Sequence, residues 1–416
     1  SGEYKLMGLA PYGIVDSEET NIFIQKIKSE IVDIKKDGSI FLNQKYFNYT
    51  SGLSMIKGKK FKELFGLPIR KQEEEITQQH CNMALAIQNV TEDIVIKMVK
   101  ETKKLTGSKN LCLSGGVALN CVANGKIDDL KLFDNIYIQP ASGDAGGSLG
   151  GALAVNHMYY DCERNYSNGY DLMKGSYLGP YYSDKEIILT NKKFKAVFKY
   201  YNSFEELSNK VAKLISDGNV IGWFQGRSEF GPRALGNRSI LADPRNPKMQ
   251  KKLNLKIKFR EGFRPFAPSV LEEDYSKYFE GNILSPYMLM VKKVRSTVKL
   301  GLPKNYWTMS YWNKLYAKRS KLQSITHVDF SSRIQTISKK TNYRYWNLIN
   351  DFKKLTGVGV LVNTSFNVRG EPIVNSPDDA FKCFMNTEID YLVIGNFLYS
   401  KKNQTIKYER QSFKLD

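Results

Sequence analysis

Leu111-Cys112-Leu113-Ser114-Gly115-Gly116-Val117-Ala118-Leu119-Asn120 runs from a short apolar strand through a glycine turn into a helical stretch from Val117. Further on, Ile136-Tyr137-Ile138 leads into Gly143-Asp144-Ala145-Gly146-Gly147 and a second helix through Ala154. Strand, glycine turn and helix, twice over, mark an α/β chain. Two such turns would share one edge of a parallel sheet, where open α/β sheets bind ligands. Glycine lets a phosphate approach the backbone, and a helix N-terminus offers free N–H groups and a positive dipole end. Asp144 is a carboxylate inside the second turn. It is either a metal ligand beside a phosphate or the cap of the following helix, and spacing by itself favours the cap.

Outward from this unit, apolar residues at Met83, Ala86, Ile87, Val90, Ile94 and Val99 predict a long packing helix over 74–105. Residues 14–75 read as mixed and irregular, with a short strand at Ile40–Leu42. Tyr166, Asn168-Gly169, Tyr170 and Leu178-Gly179-Pro180 make a linker, and a second block runs from Tyr182 to about Ser400. The last residues are polar and peripheral. A length of 416 residues implies two or three domains.

Apolar residues at 42% and aromatics at 12% exclude a disordered chain. No apolar run reaches the ~18 residues of a membrane span, and no signal segment opens the chain. Cys81, Cys112, Cys121, Cys162 and Cys383 form no C-x-x-C pair, which argues against a zinc ribbon and for a reducing, cytoplasmic setting. The net charge of +20 suits an anionic ligand or nucleic acid, and equally a lysine-rich surface.

One stretch is different. From Gly226 to Arg264 eleven Lys and Arg stand against three Asp and Glu, a net of +8. Its arginines sit among Gly and Pro, and interleaved Phe, Leu and Ile oblige the segment to pack. Guanidinium forks held on rigid turns suit bidentate recognition of an oxyanion such as phosphate. Two alternating stretches follow. In His327–Gln335 the polar residues fall at odd positions, and in Leu361–Asn367 the residues Asn363, Ser365 and Asn367 share a face. Each is either a half-solvated strand or a wall of the same cleft.

The chain resembles the NodU/CmcH/TobZ-type O-carbamoyltransferase family. The resemblance rests on Glu3–Gly13, Leu113–Asn120, Gln139–Gly147, Glu229–Ile240 and Asn363–Pro372, five long motifs in family order. It is thin over 14–75 and 276–320. It implies an α/β (α+β) architecture: the C-terminal part of an actin-like carbamoyl-transfer domain over 1–175, then a YrdC-like domain over 176–416. The YrdC-like domain would make carbamoyl adenylate from ATP and carbamoyl phosphate, releasing pyrophosphate. The actin-like domain would pass the carbamoyl group to a hydroxyl of a sugar, antibiotic or other small-molecule or glycan acceptor.

By that resemblance Arg233, Arg333 and Lys258 are catalytic. Arg227, Arg238, Lys256, Arg264, Asn363 and Ser365 bind carbamoyl phosphate or the adenylate. Gly115, Gly116, Asn120 and Gly146 bind nucleotide in the actin-like domain. Asp144 matches one ligand of a divalent transition metal, iron by expectation, and Mg would serve adenylation. The family's actin-like domain begins before Ser1 and carries two His ligands there, and no H-x-x-x-H occurs among His80, His157 and His327. The expectation is an N-terminally truncated chain that makes carbamoyl adenylate without transferring it. The alternatives are a tRNA threonylcarbamoyl-type modification enzyme, which the charge would suit, and a non-catalytic nucleotide-binding protein. The domain order favours small-molecule O-carbamoylation, with no membrane and no nucleic-acid partner.

Overall fold

Along the strand Arg238–Ala242, Ile240 and Ala242 face one apolar cluster and Leu241 faces another. A strand buried on both faces belongs inside a sheet covered on both sides. The computed structural model describes residues 2–71, 74–164 and 171–405. The Tyr166–Tyr170 turn and the polar tail lie outside these. The chain forms two compact units. One is Ser1–Cys112, Val122–Tyr137 and Gly301–Lys318, and the other is Leu113–Cys121, Ile138–Leu300 and Arg319–Asp416. These units are not divided by a single cut at 175/176, because residues 113–121 and 138–175 cluster with the second unit and 301–318 with the first.

In the first unit, β1 (Val32–Ile34) and β2 (Ile40–Leu42) form an antiparallel pair. The expected long helix spans Gln78–Thr106. A capping box at Thr77 opens it and Gly107, in the left-handed conformation, ends it. Its Ala86 and Val90 pack with Phe23, Ile27, Phe65 and Tyr46. Residues 301–318 join this unit through Tyr311, whose ring meets Tyr12 edge-on at 5.0 Å. The strands of the repeated motif are β3 (Asn110–Leu113) and β4 (Asn135–Ile138), paired with each other.

The second unit is built on a mixed sheet of nine strands. They are β5 (Lys199–Tyr200), β6 (Ile221–Phe224), β7 (Arg238–Ala242), β8 (Ala267–Leu271), β9 (Met290–Lys293), β10 (Ser331–Ile337), β11 (Val360–Ser365), β12 (Tyr391–Ile394) and β13 (Phe397–Ser400). Their order across the sheet is β5-β13-β12-β6-β7-β11-β8-β10-β9. β12 pairs β6 and β10 pairs β8 in parallel, while β7, β11 and β8 run antiparallel side by side. The helices Phe204–Ser216 and Tyr343–Thr356 cover one face, joined by a buried hydrogen bond from Ser208 Oγ to Asp351 at 2.7 Å. The fold is therefore mixed α/β, as the motif implied.

Two local expectations change. No α-helix begins at Val117: Gly116–Leu119 is a single 3-10 turn, Asn120 (ψ 86°) breaks it, and the helix starts at Cys121. The alternation over His327–Gln335 is also not one strand. β10 begins at Ser331, because Asp329 accepts from the N–H and hydroxyl of Ser331 and closes a turn through Phe330 (φ 66°). Among the described residues no helix is long and apolar enough to cross a membrane.

Candidate functional site

The segment between β6 and β7 carries the arginines, and its backbone is bound in place from both sides. Glu229 Oε1 accepts from the amides of Leu235 (2.7 Å), Asn237 (2.9 Å) and Arg238 (3.3 Å), while Ser239 Oγ accepts from Gly236 at 3.0 Å. On the carbonyl side, Tyr177 Oη and Gln335 Nε2 donate to Leu235 O at 2.8 and 2.7 Å, and Asn363 Nδ2 donates to Ala234 O at 3.1 Å. Gly236 (φ 106°) lies flat under the Tyr345 ring, where a Cβ would come within 2.1 Å of a ring carbon.

This turn brings Arg233 beside Arg333 of β10. The two guanidinium groups repel, and both approach Cys121. Burial first, and the charge of Arg333 next, pull Arg233 down to about 9; burial also lowers Arg333. Arg233 makes one long hydrogen bond, 3.4 Å to Leu119 O. The Nε atoms of both arginines are buried with no hydrogen-bond partner among the described residues, and no carboxylate pairs with either. Two like charges gathered with no counter-ion among the described residues are an arrangement that an anion can bridge.

A second cluster sits at the end of β11. The fully buried Lys258 ammonium donates to Ser365 Oγ (3.1 Å), Asn367 O (2.9 Å) and Asn367 Oδ1 (2.7 Å), and also to Ser365 O. Burial first, then Arg260 and Arg264, hold it well below the ordinary lysine value. Asn363 and Ser365 point to one face of β11, roughly 7 Å apart along the strand. Asn363 Nδ2 and Ser269 Oγ both donate to Gln335 Oε1, at 2.8 and 2.6 Å, while Asn363 Oδ1 is buried without a partner.

The other expected positions lie elsewhere. Arg238 is fully buried; its guanidinium covers the Phe224 ring at 3.5 Å and donates to Gln225 O, Gly226 O, Asn237 O and Pro180 O. That is the work of a backbone clamp. Arg227 is exposed and bonds Gly179 O at 3.0 Å, and Lys256 is exposed and 3.3 Å from Glu388. Arg264 is buried and paired with Glu261 at 2.7 Å.

Gly115 (φ 96°) and Gly116 face open space, and Gly115 N donates to Ser142 O at 2.8 Å. Gly146 is needed for packing, since a Cβ would come within 2.3 Å of Ala141 O. Asn120 ends the 3-10 turn. Asp144 precedes the helix Ala145–Ala154, but its exposed carboxylate makes no capping bond. Among the described residues no three His, Cys, Asp or Glu side chains gather around a point. The described residues do not amount to a metal site.

Sequence reasoning did not select Glu229, Gln335, Asn367 or Arg260. Gln335 and Asn367 lay on polar faces already noted, so alternation could have found them. Glu229 was hidden as one of three acids in a basic run.

Two family models match the chain: the carbamoyltransferase N-terminus over residues 1–153 and the carbamoyltransferase C-terminus over 212–401. An uncharacterized Synechocystis protein is 51% identical over all of this chain and 67% of its own length. The nodulation protein NolO of Bradyrhizobium diazoefficiens is 38% identical over 97% of this chain and 67% of its own. The chain belongs to the carbamoyltransferase family. This is an enzyme family; the 3'-hydroxymethylcephem-O-carbamoyltransferase of Amycolatopsis lactamdurans is 32% identical over 70% of this chain and 49% of that protein. The chain thus spans two thirds of the first two relatives and about half of the third. HypF, solved in a phosphate- and nucleotide-bound form, is similar at TM-score 0.29 and 14% identity, over 66% of this chain and 36% of that one, too distant to carry an argument.

Proposed function

We propose that this carbamoyltransferase uses ATP to activate the carbamoyl group of carbamoyl phosphate and passes it to a hydroxyl of a small-molecule or glycan acceptor. In this reading residues 176–416 form carbamoyl adenylate and residues 1–175 belong to the transfer half. The observation that carries it is the Arg233–Arg333 pair, half-buried, with unpartnered Nε atoms and no acid beside it. A phosphate dianion meets both forks and removes the repulsion between them. Lys258 fixes Ser365 and Asn367 as a polar rim nearby.

Atoms balance as follows. Water cleaves carbamoyl phosphate to carbamate and phosphate. A carbamate oxygen then attacks the α-phosphorus of ATP, and pyrophosphate leaves. The arginines hold the anions and neutralise the charge that builds on phosphorus. An acceptor hydroxyl next attacks the carbamoyl carbon, and AMP leaves. Asp144 is the carboxylate assigned to the transfer half.

The test supplies ATP and carbamoyl phosphate and follows pyrophosphate, with and without hydroxylated acceptors followed by product mass. Carbamoyl-phosphate-dependent pyrophosphate release that vanishes in Arg333→Ala is the expected result. In a form as long as the curated relatives, Asp144→Ala should lower acceptor carbamoylation and leave pyrophosphate release intact. A protein that binds ATP and releases no pyrophosphate under any condition would instead be a nucleotide-binding protein without this chemistry.

A further inference from the structure

We infer that Glu229 is the positioning residue that sets the Arg233–Arg333 pair before any anion arrives. The inference rests on the reading of that pair as an anion seat, and it assigns a task to an acid that charge alone would place there as a fault. A carboxylate near an anion site repels the anion. Its place near the start of the basic run therefore calls for a compensating role.

The geometry supplies one. Four consecutive amides, Leu235 to Arg238, point inward, and three of them converge on a single oxygen of Glu229. Backbone amides in succession form a nest that captures an anion. Here the captured anion is the protein's own side chain, so the turn is closed in the free protein. The fourth amide, Gly236 N, goes to Ser239 Oγ. The same turn carries Arg233 two residues before Leu235, and among the described residues Arg233 has only its 3.4 Å contact with Leu119 O to steady its own guanidinium. What keeps Arg233 beside Arg333, against their repulsion, is the backbone, and among the described residues Glu229 is the only carboxylate that the turn's amides bind. Glu229 also reaches Arg238 electrostatically, and Arg238 in turn clamps the carbonyls of Gln225 and Gly226. One carboxylate thus ties both ends of the segment between β6 and β7.

Charge and positioning predict opposite signs, which makes the test sharp. If Glu229 acted only by its charge, its removal would strengthen anion binding. Positioning requires weaker binding. Titration of inorganic phosphate into the full chain is expected to show Glu229→Ala about tenfold or more weaker than wild type. Glu229→Gln keeps an amide oxygen that accepts at the same place without the charge, so it should lose only a few-fold. Glu229→Asp, one methylene short of the amides, should resemble alanine. In parallel, hydrogen exchange at Leu235, Asn237 and Arg238 should accelerate in Glu229→Ala while Leu241 and Ala242 of the same strand stay protected.

Phosphate binding in Glu229→Ala as tight as wild type or tighter overturns the proposal, as does unchanged exchange at the three amides. If wild type itself binds no phosphate, the anion-seat reading fails, and the exchange experiment still decides whether Glu229 holds the turn. Should Glu229→Ala not fold, the Gln variant carries the test, since its folded form must bind phosphate more weakly than wild type.

Discussion

The two glycine-bearing turns of the second unit are built on opposite plans. In the arginine turn every amide from 235 to 238 has an acceptor, and Gly236 is pressed against Tyr345. In the helix Ala145–Ala154 no residue is buried, and Gly147, Gly150 and Gly151 have nothing within 4 Å of an added Cβ. Both segments are rich in glycine and both lie in family motifs. Glycine in the first is a steric necessity of a tightly packed turn, whereas in the second, Gly146 apart, it leaves open surface. Preorganised geometry of the first kind is what electrostatic catalysis needs, because groups already in place reorganise little during the reaction.

The contrast can be broken most directly at Arg233. Arg233→Ala should reduce carbamoyl-phosphate-dependent pyrophosphate release by ~10²-fold or more. Arg233→Lys should recover only part of it, because a point charge lacks the fork. Near-wild-type rates in the alanine variant would mean that the turn is rigid for some other purpose.

Gly236→Ala is the next largest effect. The left-handed backbone and the 2.1 Å approach to Tyr345 should together destabilise the second unit by about 2 kcal/mol or more. Denaturant unfolding measures it, and a neutral result would show that Tyr345 swings away freely.

Lys258 offers a pH test on the same side of the comparison. Its folded value is lowered, so the unfolded chain holds more protons between that value and 10.5. The burden of burying the charge is therefore present at lower pH and is relieved as pH rises through that window. Stability of wild type relative to Lys258→Met should increase with pH there. A flat difference would place the ammonium in a more solvated setting than its hydrogen bonds describe.

The smallest effect belongs to the open turn. Gly147→Ala should be neutral or stabilising by up to about 1 kcal/mol, as alanine suits a helix and meets no obstacle. If it also lowered acceptor carbamoylation, something would approach that glycine closely during turnover.

The sequence by itself determined the α/β class, because strand, glycine turn and helix leave a period and a punctuation that need no tertiary contact to read. It also determined the family, through five motifs, and put Arg233, Arg333, Lys258, Asn363 and Ser365 forward as candidates. Their residue types announce anion chemistry when arginine stands among Gly and Pro, or when polar residues alternate on a strand. It could not sort the basic run. Arg233, Arg238 and Lys256 look alike as letters, yet one faces a second arginine, one clamps carbonyls and one meets Glu388 at the surface. Which role each takes depends on burial and on partners a hundred residues away or more, such as Gln335 beneath Leu235 and Glu388 beside Lys256. Glu229 shows the limit most clearly. Read locally it is a stray negative charge, and only the folded turn, by converging three amides on one oxygen, makes it part of the arginine turn.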